Sequence, residues 1–128
     1  VNGNTPGASA GAKQKRTTSM SDYIEVVTTT ESRDDAQAIG QALVEGRLAA
    51  CAQIVGPVTS IYRWQGKINT TQEWQCRAKT RRELFDRVKE TIRRLHPYQL
   101  PEIIAIALTA GSADYLAWLA EETKNDKC

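Results

Sequence analysis

The single histidine of the chain, His96, and a carboxylate six residues on, Glu102, bracket the run His96-Pro97-Tyr98-Gln99-Leu100-Pro101-Glu102. Imidazole nitrogen and carboxylate oxygen both ligate divalent cations. Pro97 and Pro101 stiffen the backbone between them, so the pair sits at a firm corner rather than on a loose loop. His96 ends a helical pattern, and the macrodipole at a helix C-terminus favours positive charge there, whether a metal ion or a proton. Protonation of the ring would therefore compete with a metal. One imidazole is not a metal site, which takes three or four ligands. Glu102, Glu73 or the same residues of neighbouring copies would have to complete it. Two other readings of His96 stand beside this one: a ring hydrogen-bonded at a helix end, and a catalytic group. The chain shows no recognisable nucleophile–histidine–carboxylate arrangement and no Gly-rich phosphate loop. The expectation is a protein that binds without turnover and carries no organic cofactor, with His96 and Glu102 as the metal-facing pair.

A second group of residues suits a small polar ligand. Tyr62, Trp64 and Tyr98 supply aromatic walls, Lys67 a cation and Glu102 a carboxylate, the usual furniture of a ligand cleft. Packing of these aromatics against a neighbouring subunit is the plainer explanation and stays open. The cysteines Cys51, Cys76 and Cys128 are odd in number, far apart and without C-x-x-C spacing, which fits a reducing cytoplasm. Cys51 reads as a buried inert thiol, Cys76 as a packing residue, and the terminal Cys128 as exposed.

These groups must be held by regular elements. Tyr23 to Thr30 is β-branched and loosely alternating, the mark of a strand. Ser32 with Asp35 three positions on resembles a capping box, and Ala36, Ile39, Gly40 and Leu43 recur at helical spacing up to a C-cap near Gly46. A second strand is expected from about Leu48 through Ile54, interrupted at Gly56-Pro57 and resumed over Val58 to Trp64. Gln65-Gly66-Lys67 is the turn. On the return strand Trp74, Cys76 and Ala78 share one face, and Glu73, Gln75, Arg77 and Lys79 the other. Leu84, Phe85, Val88, Ile92 and Leu95 mark a helix over about Arg82 to Leu95, which Pro97 ends by forcing His96 out of the α region. Ile103 to Leu108 reads as a buried strand, and Ser112 caps a last helix carrying Tyr115, Leu116 and Leu119.

The resulting order is α+β: a ferredoxin-like βαββαβ sandwich with a long central hairpin and an extra C-terminal helix. Two helices cover one sheet face, so the other needs the last helix or a second subunit. Hairpin arms of about sixteen residues would extend roughly 50 Å at ~3.3 Å per residue. That exceeds the ~35 Å expected across a domain of this size. The hairpin should project past its own helices, carrying Tyr62, Trp64, Ile68 and Trp74, and exposed apolar surface of that kind points to association.

Residues 1–20 differ in composition and read as a disordered tail or a cloning remnant ahead of one domain over 21–128. They hold Lys13, Lys15 and Arg16 but no acid, so the domain itself has 14 basic against 15 acidic residues. Its charge excludes a nucleic-acid footprint, and alternating signs along Arg82–Arg94 describe a solvated helix face. No apolar run is long enough to span a bilayer.

Three stretches in order resemble the CutA divalent-cation tolerance family: Arg47-Leu48-Ala49-Ala50-Cys51-Ala52, then Thr59-Ser60-Ile61-Tyr62-Arg63-Trp64-Gln65-Gly66-Lys67-Ile68, then His96-Pro97-Tyr98 with Pro101-Glu102-Ile103-Ile104-Ala105. Lys79-Thr80-Arg81 and Tyr115-Leu116-Ala117-Trp118-Leu119 extend the likeness to about residues 23–122. The resemblance implies a homotrimer reminiscent of PII signalling trimers and association with copper and other divalent cations. It also leaves room for a regulatory ligand or a protein partner, since animal members are linked to anchoring of acetylcholinesterase. The chain departs from the family in two places. Thr28 stands where some bacterial members carry a cysteine implicated in copper binding. The return strand reads Trp74-Gln75-Cys76-Arg77 where aliphatic residues are usual.

Overall fold

A computed structural model describes residues 22–124. Strand β1 (Tyr23–Thr30) leads into helix α1 (Arg33–Glu45). The hairpin β2 (Cys51–Trp64) and β3 (Lys67–Arg81) follows, then a 3-10 turn, Arg82–Leu84, running into α2 (Phe85–Leu95). Strand β4 (Ile104–Ala107) and helix α3 (Ala113–Glu122) complete the chain. The four strands form one antiparallel sheet in the order β2-β3-β1-β4, and the ferredoxin-like α+β architecture is the one expected. Among the described residues no helix is long and apolar enough to cross a membrane.

The alternation read from sequence is the one that builds the core. Ile24 and Val26 of β1 and Cys76 and Ala78 of β3 face Ala36, Ile39 and Leu43 of α1 and Val88 and Ile92 of α2. Each large side chain so buried contributes about 1.5–3 kcal/mol. The Ser32 hydroxyl caps α1 by accepting the Asp35 amide at 2.9 Å, as the capping pattern requires. At the far end of the chain α3 is anchored by Leu119, which is fully buried. Carbonyls at and just past its C-terminus accept from arginines elsewhere in the chain. Arg81 donates to Thr123 O at 2.8 Å, and Arg47 to Glu121 O at 3.2 Å and Lys124 O at 3.0 Å. Orphan carbonyls at a helix end are thereby satisfied.

Two boundaries differ from expectation. β2 begins at Cys51 rather than near Leu48, because the amides of Leu48 and Ala49 both turn back to Leu43 O at the end of α1. Cys51 is partly rather than fully buried. The fourth strand is shorter than Ile103–Leu108 and all four of its residues are exposed. It is an edge strand paired only with β1, so an apolar run that reads as buried lies open in the single chain. The tail over 1–20 and the terminal Cys128 lie outside the described residues.

The hairpin projects. β1 pairs β3 only as far as Thr30 with Trp74, whereas β2 and β3 continue through seven further pairs, from Val58–Glu73 to Trp64–Lys67. Seven residues at ~3.3 Å carry the ribbon roughly 23 Å beyond the four-stranded sheet. Its turn is two residues long, with Gln65 at φ 51° and Gly66 at φ 80°. That is the doubly left-handed geometry that matches strand twist and that glycine adopts without strain. At its root the ladder shifts register between Val55 and Val58. There Gly56 lies so close to Trp74 that a Cβ would sit 2.7 Å from the indole. The Pro57 interruption therefore costs a bulge, not the strand.

Candidate functional site

The site is built at the corner where α2 stops. His96 has left the helix (φ −80°, ψ 135°), as a residue before proline must. Its ring reaches back to β1. Nε2 lies 2.8 Å from Thr29 O, and Nδ1 accepts the Tyr98 amide at 3.1 Å. A carbonyl only accepts, so the proton sits on Nε2 and the Nδ1 lone pair meets the amide. The reason lies in the sheet. β4 begins opposite Val27, so no strand partner reaches Thr29 from that edge. His96, only 8% exposed, takes the place of the missing strand.

Tyr98 packs on the imidazole, ring centroids 4.7 Å apart, and its hydroxyl donates to Glu73 Oε2 at 2.7 Å. Glu73 is 6% exposed and stands on the first pair of the projecting ribbon. The phenol is pushed above its ordinary range by burial, by the hydrogen bond to Glu73 and by the charges of Glu73 and Glu31. Glu102 lies farther along the same corner, 3.5 Å from Thr29 Oγ1. His96 and Glu102 thus meet β1 at the same residue, one through its carbonyl and one through its hydroxyl. Both ring nitrogens of His96 already have backbone partners, so a metal would reach the ring only by displacing one.

Between the projecting hairpin and this corner opens a cleft of about 780 Å³. Tyr62, Trp64, Tyr98 and Glu102 all line it, as does Glu73, while Lys67 and His96 do not. Lys67 stands at the hairpin turn, where it pairs with Trp64. Two further lining residues, Glu31 and Arg63, were not expected from the residue pattern. Glu31 directly follows β1 and Arg63 adjoins Trp64. Only the register of a ribbon that reaches past β1 brings those positions to one cavity.

The Cys76 thiol takes no part. Cys76 is 1% exposed in the core, and burial pushes its thiol up to about 11, which keeps it protonated and unreactive. The Thr28 hydroxyl is buried and has no hydrogen-bond partner among the described residues. On the sheet face opposite α1 and α2, Glu25 is held by Arg77 at 2.8 Å and Lys79 at 3.6 Å.

A family described as CutA1 divalent ion tolerance protein matches residues 24–122. The chain belongs to this family. The divalent-cation tolerance protein CutA of Thermus thermophilus is 47% identical over 98 residues, covering 77% of this chain and 95% of that protein. Human protein CutA is 38% identical over 90 residues, covering 70% of this chain, which spans about half (50%) of the human protein. The structure of the periplasmic divalent cation tolerance protein CutA from Archaeoglobus fulgidus superposes with a TM-score of 0.77 at 33% identity, covering 80% of this chain and 99% of that one. The span matched by the family contains the whole corner, both arms of the hairpin and all of α3.

Proposed function

We propose that this CutA-family chain acts in tolerance of divalent cations, copper among them, by binding rather than turnover, and that it works as a homotrimer. The observation that carries the reading is the ribbon extending seven pairs past its own sheet with Ile61 69% and Ile68 66% exposed. Opposite it, the open edge of β4 leaves Ile104 47% and Ile106 44% exposed. An unpaired edge and an apolar ribbon on one chain call for each other in another copy. Glu102 is the cation-facing carboxylate. His96 holds the corner that carries it and joins the ligands where a cation displaces the Tyr98 amide. Among the described residues no three of His, Cys, Asp and Glu are placed to hold one metal ion. The remaining ligands then come from neighbouring copies. The unpaired Cys51 and Cys76 suit a reducing compartment, the cytoplasm.

The test has two parts. Sedimentation should report a particle three times the 14.2 kDa of the chain, and Ile61→Asp with Ile68→Asp should release monomer. Calorimetric titration with copper(II) should weaken in Glu102→Gln and in His96→Asn while the mass stays trimeric. A monomer at micromolar concentration removes the assembly, and unchanged titrations remove the metal assignment. The lined cleft supports a second reading, a PII-like regulator that takes a small ligand or a protein partner beside Tyr62, Trp64 and Tyr98.

A further inference from the structure

We propose that the cleft between the projecting hairpin and the His96–Glu102 corner binds a linear aliphatic polyamine. Three carboxylates line it, Glu31, Glu73 and Glu102, against one cation, Arg63. None of the ion pairs among the described residues involves any of the three. For Glu73 this is costly, because a carboxylate only 6% exposed normally has a counter-charge, and its one hydrogen-bond partner here is a neutral phenol. The cavity therefore carries an excess of negative charge that the chain leaves unanswered, and its ligand should be cationic.

Spacing decides which cation. The carboxylates arrive from three separate segments: Glu31 after β1, Glu73 on the ribbon, Glu102 on the corner. They do not converge on one point, and no three acidic, histidine or cysteine side chains among the described residues can share an ion. A compact divalent metal, which needs converging oxygen ligands, fits poorly. Charges separated by methylene runs fit well. The same cleft is lined by Tyr62 and Trp64, 41% and 39% exposed, whose ring faces can take methylene groups and attract ammonium through cation–π contact. A cavity of about 780 Å³ is ample for such a chain. Arg63 sets the limit: a purely anionic ligand would find one partner and three repulsions.

This ligand rests on the small-ligand reading of the same cleft and shares Glu102 with the metal reading; a metal-free titration and Glu31→Gln, at a residue the metal reading does not use, keep the two apart. Spermidine is titrated calorimetrically into the full chain, stripped of metal with EDTA and dialysed, with tryptophan fluorescence followed in parallel. Binding should be saturable, should quench fluorescence through Trp64, and should lose the quench in Trp64→Phe. Glu102→Gln and Glu31→Gln should each weaken it about tenfold, the lower end expected for one charge-assisted contact of ~1.5–3 kcal/mol, with the sedimentation mass unchanged. Neutral 1,8-octanediol should give no heat, and in Glu102→Gln, which lacks the carboxylate shared with the metal reading, magnesium should not displace spermidine beyond its effect on ionic strength. Absence of a saturable isotherm, equal binding of the diol, or full competition by magnesium in that variant overturns the proposal. A trimer whose neighbouring copy fills the cleft would show the first of these, leaving the copper titration untouched.

Discussion

Replacing Tyr98 by Phe tests the joint between ribbon and corner. The substitution deletes the hydroxyl that donates to Glu73 at 2.7 Å and leaves the ring on His96 intact. A hydrogen bond to a charged acceptor contributes about 1.5–3 kcal/mol, and the carboxylate left behind is 6% exposed, so little solvent returns to it. Against this, removing a half-buried hydroxyl recovers at most about 1 kcal/mol of its desolvation. The loss wins, and Tyr98→Phe should be destabilised by about 1–2 kcal/mol at pH 7 in guanidinium unfolding at fixed protomer concentration. The pH dependence has a definite sign. The folded-state pKa of the phenol lies above its unfolded value, so between the two the unfolded chain has released a proton that the folded chain retains. Stability is fully present below about pH 10, the unfolded value, and falls as pH rises beyond it. The limiting slope is ~1.4 kcal/mol per pH unit, less whatever solvent screens from a half-buried ring. The variant should lack this component. Equal stability at neutral pH, together with parallel alkaline limbs for the two proteins, would refute the joint.

Gly56→Ala should lower stability by about 1–3 kcal/mol. Its Cβ would lie 2.7 Å from the Trp74 ring and 3.1 Å from Glu73 O, a backbone atom that cannot swing aside; guanidinium unfolding monitored by tryptophan fluorescence reads it. Ser32→Ala removes the acceptor of the Asp35 amide and should cost about 1 kcal/mol, measured by thermal unfolding, while Ser32→Asp should restore it.

Local chemistry made much of this protein legible before any coordinates. Tyr23–Thr30 reads as a strand because its residues are β-branched, and Ser32 as a cap because only a short polar side chain can take the Asp35 amide. His96 ends α2 because proline follows it. Each of these depends on a few neighbouring residues, so the amino-acid order alone suffices. Even the overlong ribbon follows from counting residues between turn signals. What the order could not state is which distant residues meet. Glu31, Glu73 and Tyr98 are up to 67 positions apart, and they share a cleft only because β2 and β3 outrun β1 and the α2 corner folds back over the gap. The same closure gave His96 a role that its residue type does not announce. Its ring completes the β1 edge where β4 has not yet begun, and an unpaired backbone carbonyl is a demand that exists only once the sheet is assembled. β4 shows the converse. An apolar run predicts burial, but burial needs a second surface, and a strand at the rim of one chain has none there.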